Sequence, residues 1–402
     1  MVFSPFTLPA LAFLSLSASA SPRPRTTSST ASLKLAVRIN SEGITNVVAA
    51  DRARAQALLQ GSSSSSIDAT NAVRIYTTDV GVGSPPTNYT LLVDTGSSNT
   101  WIGGYKPYEK TTTSQDTGGQ FSVAYRDSSH VSGEEYLDTV TLNSHLVIEK
   151  QSIGVVADYH GNHSLDGILG LGPVDLTQGT VSNAYEVPTV MDNLYAQNTI
   201  ISEVLGVFFS PASSGDSSGE LTFGGYDASK TTGPVSYVPI TSTSPANKYW
   251  GFDQSISYGY TPILTKAPGI VDTGTNLILI ATDAFDKYKS ATGGTLDETT
   301  GLLKISPDQY DQLLSLYFTI GDGIYELTPN AQIWPRSLNS AIRGTGTTDG
   351  IYLVVSDIGN NSGSGLDVIN GYCFLERFYS VLDKTNSQVG FATTEYTHAT
   401  LN

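Results

Sequence analysis

The chain has 402 residues, 37 acidic against 21 basic groups and a formal charge of -16, with 39% hydrophobic and 14% charged residues. Two domains of ordinary size fit that length, and the acidic balance excludes nucleic acid as a partner, because phosphates require a cationic face. With 39 Gly, 18 Pro and a single cysteine, the composition excludes a coiled coil and any intrachain disulfide, and suits a turn-rich β protein.

Residues 1–20 read as a secretory signal, an apolar run from Phe3 to Leu16 followed by the small-x-small triplet Ala18-Ser19-Ala20. The run is too short and too interrupted by Ser to span a bilayer. A secreted product is expected, extracellular or vacuolar, with no membrane attachment once the signal is removed. Residues 21–70 form a basic leader carrying Arg23, Arg25, Lys34, Arg38, Arg52 and Arg54 against Glu42, Asp51 and Asp68. The remainder holds 15 basic and 34 acidic groups. This contrast predicts a propeptide held on an acidic body by charge, as an intramolecular inhibitor. A serine run, Ser62 to Ser66, reads as the cleavable linker.

Beyond Asn71, short apolar or alternating runs recur between Gly, Pro and Asn. Val73–Val82, Tyr89–Val93, Ser122–Tyr125, Tyr136–Leu142, Leu205–Phe209 and Glu220–Phe223 predict a mainly β chain. Gly81-Val82-Gly83-Ser84-Pro85 reads as a hairpin turn. A few short helices are expected, over Thr189–Gln197, over Thr282–Ala291, and over Tyr310–Tyr317 behind the Ser306-Pro307-Asp308 start.

An internal repeat organises the body. Leu91-Leu92-Val93-Asp94-Thr95-Gly96-Ser97 returns 178 positions later as Gly269-Ile270-Val271-Asp272-Thr273-Gly274-Thr275. Asp166-Gly167-Ile168-Leu169-Gly170 is echoed by Asp367-Val368-Ile369-Asn370-Gly371. Two homologous lobes, 71–232 and 233–402, are therefore expected around a pseudo-two-fold axis, joined near Thr232–Tyr237.

Each Asp-Thr-Gly follows a buried-strand pattern. The strand brings Asp94 or Asp272 to the lobe interface, and Gly96 or Gly274 allows close approach. Ser97 and Thr275 can donate to the carboxylates, while Thr95 and Thr273 can fasten the two loops together. Two carboxylates in such proximity share one proton and titrate as a unit. The ionised member takes a proton from water, which attacks the scissile carbonyl, while the protonated member binds the carbonyl oxygen. Neither metal nor cofactor is needed.

Other motifs carry less. Gly215-Asp216-Ser217-Ser218-Gly219 fits a nucleophile elbow but follows the polar Pro211–Ser214 instead of a buried strand. His160 and His163 lie in a loop pattern without metal-ligand spacing. Cys373, within Tyr372-Cys373-Phe374-Leu375, reads as a buried, inert thiol. Asn88, Asn162 and Asn360 begin candidate N-glycosylation sequons.

Val93-Asp94-Thr95-Gly96-Ser97-Ser98-Asn99-Thr100-Trp101, Ile270–Thr275 and Asp166–Gly172 together resemble the motifs of pepsin-like aspartic peptidases, in particular those of wood-rot fungi. The resemblance covers nearly everything from Asn71 onward. It implies a bilobal pepsin-like fold, an extended cleft for protein and peptide substrates, sensitivity to pepstatin-type inhibitors, and a monomeric enzyme made as a zymogen and active in acid. It further implies that Ser122-Val123-Ala124-Tyr125 belongs to a flap closing over substrate, with Tyr125 bonded to Trp101 and Asp127 within reach of substrate. Arg126-Asp127-Ser128 stands where relatives commonly carry Gly-x-Gly, and Asn370 where many carry Leu. A catalytically silent binding protein or inhibitor of the same fold is the alternative; intact Asp94 and Asp272 argue against it.

Overall fold

The computed structural model describes residues 30–39, 46–60, 74–124, 130–159, 165–214, 218–342 and 349–402. The leader supplies β1 (Ala31–Ile39) and α1 (Val47–Leu59). There follow β2 (Arg74–Val82), β3 (Thr87–Asp94), β4 (Trp101–Ile102), β5 (Gln115–Ala124), β6 (His130–Asn143), β7 (Leu146–Tyr159) and β8 (Gly167–Gly170). Next come α2 (Val190–Ala196), β9 (Val204–Phe209), β10 (Ser218–Phe223), β11 (Ser236–Pro239), β12 (Gly251–Tyr258), β13 (Thr261–Val271), β14 (Ile278–Ile280) and α3 (Thr282–Thr292). β15 (Thr295–Leu296), β16 (Leu303–Ile305), α4 (Pro307–Asp311), β17 (Leu316–Ile320), β18 (Gly323–Leu327), β19 (Ile351–Tyr352) and β20 (Val355–Asp357) lead into the last segment. It comprises β21 (Val368–Asn370), α5 (Tyr372–Leu375), β22 (Phe378–Asp383) and β23 (Gln388–Thr393).

The sequence repeat becomes a topological repeat. β3 lies between antiparallel β2 and parallel β8, and β8 pairs antiparallel with β4. In the second half β13 lies between antiparallel β12 and parallel β21, and β21 pairs antiparallel with β14. Both faces of these central strands are packed as well, and Leu91, Leu92, Val93, Ile270 and Val271 are fully buried, as a continuous apolar run requires. The first group belongs to a thirteen-stranded sheet that also contains β9, β10, β22 and β23; the second forms a seven-stranded sheet.

The leader is built into the larger sheet. β1 pairs antiparallel with β10 along one edge and with β2 along the other. Leu33 and Leu35 are buried, while Lys34 of the opposite face reaches the buried Glu220. Backbone pairing thus adds to the charge attraction expected from composition.

α2 and α3 fall where the sequence predicts them, α2 with a capping box between Thr189 and Asp192. The turn at Gly83 joins β2 to β3 with φ +92, a conformation suited to glycine. The expectation of a helix over Tyr310–Tyr317 is corrected. Ser306 caps the helix as expected, but α4 ends at Asp311. Leu316, Phe318 and Ile320 face inward while Thr319 is exposed. That period of two suits a strand, and β17 pairs with both β12 and β18.

Candidate active site

The two Asp-Thr-Gly turns meet at the ends of β3 and β13, and both aspartates are fully buried. Asp94 accepts from the Gly96 N–H at 2.9 Å and the Ser97 hydroxyl at 2.5 Å. Asp272 accepts from the Gly274 N–H at 3.1 Å and the Thr275 hydroxyl at 2.5 Å. The two loops also fasten each other. The Thr95 N–H donates to Thr273 Oγ1 and the Thr273 N–H to Thr95 Oγ1, each at 3.0 Å. The Thr273 hydroxyl continues to the Val93 carbonyl at 2.9 Å, and that of Thr95 to Val271 at 3.4 Å. A Cβ on Gly96 would lie 2.6 Å from Asp272 Oδ1, so only glycine permits this approach.

Each loop rests on the repeated glycine element. The Leu171 N–H donates to the Asp94 carbonyl and the Gly172 N–H to that of Ser97, both at 2.8 Å. In the second half the Asp272 N–H reaches the Asn370 carbonyl at 3.3 Å, and the Tyr372 N–H that of Thr275 at 2.7 Å. Trp250 Nε1 donates to the Leu171 carbonyl at 3.0 Å and ties the halves together once more.

A third residue completes the site. In α1, Asp51 and Arg54 stand three apart and so share a face, and that face is buried against the two loops. Arg54 Nη2 donates to Asp94 Oδ1 at 2.6 Å and to Asp272 Oδ1 at 2.7 Å, while Nε donates to Asp272 Oδ2 at 2.6 Å. Asp51 Oδ2 accepts the N–H groups of Asn276 and Leu277 at 3.0 and 2.8 Å. Around this centre Arg52 pairs with Asp357 at 3.0 Å, Gln56 bonds Asn360 at 3.0 Å, and the Tyr249 hydroxyl donates to the Leu58 carbonyl at 3.0 Å.

Burial pushes the carboxyls of Asp94 and Asp272 up, and Arg54 opposes it unequally. Asp272, held by two guanidinium nitrogens, ends below the usual carboxylate range. Asp94, with one such contact and the negative Asp272 beside it, stays above that range. Burial would lower the Arg54 guanidinium, but the two carboxylates more than reverse that and raise it. Burial likewise raises Asp51 to about 7, against the pull of its two backbone N–H bonds.

Thr95, Gly96, Ser97, Thr273, Gly274 and Thr275 thus gather around Asp94 and Asp272. Trp101 is buried on β4, in an apolar cluster with Phe121 and Val123 of β5 and Val131 of β6, the arms of the expected flap hairpin. Tyr125, Asp127, Asn162, His160 and His163 lie outside the described residues, as does the Ser62–Ser66 linker. Asn88 is exposed and Asn360 half-buried. Cys373 is buried. Among the described residues no group of three or more His, Cys, Asp or Glu is placed to hold a metal ion, and no helix is long and apolar enough to cross a membrane. Sequence reasoning missed the positions of Arg54 and Asp51. The signal available was a helix whose acid and base, three residues apart, share one face.

Residues 75–394 match the family described as Eukaryotic aspartyl protease. The chain belongs to that family. It is 57% identical over 341 residues to polyporopepsin of Irpex lacteus, covering 84% of this chain and 99% of the relative. Cathepsin E of Mus musculus is 30% identical over 345 residues, covering 79% of each protein. Rhizopuspepsin-5 of Rhizopus niveus is 30% identical over 334 residues, covering 79% of this chain and 78% of the relative. The crystal structure of the aspartic proteinase from Irpex lacteus matches with a TM-score of 0.77 over 82% of this chain and 96% of that one. The chain is accordingly an aspartic-type endopeptidase with the bilobal pepsin-like fold.

Proposed function

We propose that the chain is a secreted endopeptidase that cleaves peptide bonds in acid through Asp94 and Asp272, and that it is made as a zymogen blocked by its own leader. The observation that carries this reading is Arg54, seated on both carboxylates at 2.6 Å. A cation there occupies the place where water and the scissile carbonyl must meet. With Arg54 withdrawn, two adjacent buried carboxyls cannot both ionise easily and share a proton, as in aspartic proteases as a class. The ionised member removes a proton from water as it attacks the carbonyl carbon. The protonated member binds the carbonyl oxygen, and a proton passes to the leaving nitrogen. The Thr95–Thr273 fastening keeps the geometry fixed during this transfer.

Acid release follows from the hold of Arg54 on Asp272, whose carboxyl it keeps below the usual range, so that this contact is lost as pH falls. The test uses the purified full chain, incubated between pH 3 and pH 7 with an unfolded protein as substrate. Activity should appear together with loss of the leader, fastest at low pH, and pepstatin should abolish it. Processing at equal rates across that range, or activity indifferent to pepstatin, would overturn the reading.

Asp51 acts in the opposite sense. Its pKa is raised in the docked state, so its contribution to docking is full below the ordinary carboxyl value and is lost as pH rises through about 7. Asp51→Asn cannot ionise, yet keeps an oxygen for both N–H groups. In an Asp94→Asn background, which prevents processing, it should raise the melting temperature at pH 7.5 and leave it unchanged at pH 4. Scanning fluorimetry at the two pH values checks this; a lower melting temperature at pH 7.5 would show that a carboxylate is required.

For the sequons, peptide mass mapping of the secreted protein should find a glycan on Asn88 and none on Asn360. Asn88 is exposed, whereas the Asn360 side-chain amide donates to Ser364 at 2.8 Å and accepts from Gln56 of α1. The reverse pattern would refute this assignment.

A further inference from the structure

The two halves correspond strand for strand around their aspartates, but at three adjoining positions an apolar trio in the first half is replaced by two amides and a glycine in the second. In the first half these are Val80 of β2, Leu91 of β3 and Leu169 of β8, all fully buried in the apolar core. Val80 faces Tyr89 across β2 and β3, and Leu169 lies beside Val93 across β3 and β8. In the second half Gln254 faces Ala267, and Asn370 lies beside Val271. The counterparts of Val80, Leu91 and Leu169 are therefore Gln254, Gly269 and Asn370.

These three form a unit. Gln254 Nε2 donates to Asn370 Oδ1 at 2.7 Å, and Asn370 Nδ2 returns a bond to Gln254 Oε1 at 3.4 Å. Gln254 is on β12 and Asn370 on β21, so the paired amides bridge the strand between them, β13, which carries Asp272 at its end. The bridge passes over Gly269, where a Cβ would come within 2.3 Å of Gln254 Nε2. A leucine there, as in the first half, would exclude the pair.

Burying two amides costs desolvation that their mutual hydrogen bonds only offset, and the first half shows that this arrangement of strands accepts an apolar filling. Amides add direction, which apolar contacts lack. They hold β12 and β21 at one separation and register on either side of β13, and the Asn370 carbonyl receives the Asp272 N–H. We propose that Gln254 and Asn370 are positioning residues that strap the strand bearing Asp272, and so set the placement of that carboxylate against Asp94. The proposal rests on the reading of Asp272 as catalytic.

The test uses enzyme processed from the full chain, with active sites counted by pepstatin titration and steady-state kinetics on a peptide. Asn370→Leu should lower kcat about tenfold, the order expected when a reacting group is displaced by a fraction of an ångström. KM should stay within about twofold, since no cleft residue is touched. The exchange Gln254→Asn with Asn370→Gln keeps both amides and should return most of the lost kcat. Gln254→Val with Gly269→Leu and Asn370→Leu copies the first half; it should recover the melting temperature lost in Asn370→Leu while kcat stays low. A triple variant with the kcat of the parent enzyme overturns the proposal, as does a loss in Asn370→Leu confined to KM. Should the triple variant fail to fold, the exchange decides: a folded exchange variant as slow as Asn370→Leu also overturns it. Activity in Asp272→Ala enzyme would overturn the dyad itself, a separate result.

Discussion

Asp94→Asn and Asp272→Asn are each expected to lower kcat/KM for a peptide in acid by about 10⁴-fold or more, since each removes one partner of a concerted base and acid. Asn preserves shape: its oxygen can stay on the Gly N–H of the loop, while its NH2 faces the Ser97 or Thr275 hydroxyl, which can rotate to accept. The loss should therefore come without loss of fold, which a melting curve beside the kinetics will show. The two losses should not multiply. A double variant should be about as inactive as either single one, because the carboxyls act as a unit. Substantial activity in either single variant would sink the assignment. Neither variant should shed its own leader, yet both should be trimmed by active enzyme added in trans.

Arg54→Ala is expected to free the leader under neutral conditions. It strips the cation from two buried carboxylates, and breaking a buried ion pair in this way costs about 3–5 kcal/mol, on the order of a 10²- to 10⁴-fold weaker hold. The pH dependence carries the sign. Arg54 holds Asp272 below its ordinary value, so this contact supports docking above the ordinary carboxyl pKa and is lost as pH falls through the lowered one. The parent chain should thus stay blocked at pH 6–7 and open in acid, whereas Arg54→Ala should open at both. Arg54→Lys should fall between them, because an ammonium cannot fork onto two carboxylates as a guanidinium does. Gel analysis of leader cleavage alongside turnover of a fluorogenic peptide reads the outcome. An Arg54→Ala chain that remained blocked to the same pH as the parent would refute the block.

The two Asp-Thr-Gly loops were legible because their information is local and repeated. A strand, an acid, a hydroxyl and a glycine recur at fixed spacing, and the Thr95–Thr273 fastening follows from placing the two copies together. The leader was legible only as charge. Its cations announced an acidic partner, but that Arg54 would find Asp272, 218 positions away, is fixed by where β1 and α1 dock. The insertion of β1 between β10 and β2 was likewise hidden, since an edge is defined by the strand it lacks. Tyr310–Tyr317 shows the converse failure. A strong helix start at Ser306 masked the inward alternation of Leu316, Phe318 and Ile320, and pairing with β12 and β18 decided the outcome. Asn370 stood out in the sequence as a departure from relatives, but its meaning required its partner Gln254, 116 positions away.

The reciprocal bonds between Thr95 and Thr273 also bear on how the enzyme dies. Each half lends the other a hydroxyl that its own loop cannot supply, so neither half possesses a finished catalytic centre by itself. Heat or denaturant that loosens either half must dismantle both loops at once. Inactivation should therefore coincide with the first melting transition of the weaker half, even while the sturdier one keeps its strands. A backbone nick at the join would be harmless for as long as the two pieces stayed docked. Durability of activity is set by the seam and by the weaker half together, and reinforcing the sturdier core alone would do little to extend it.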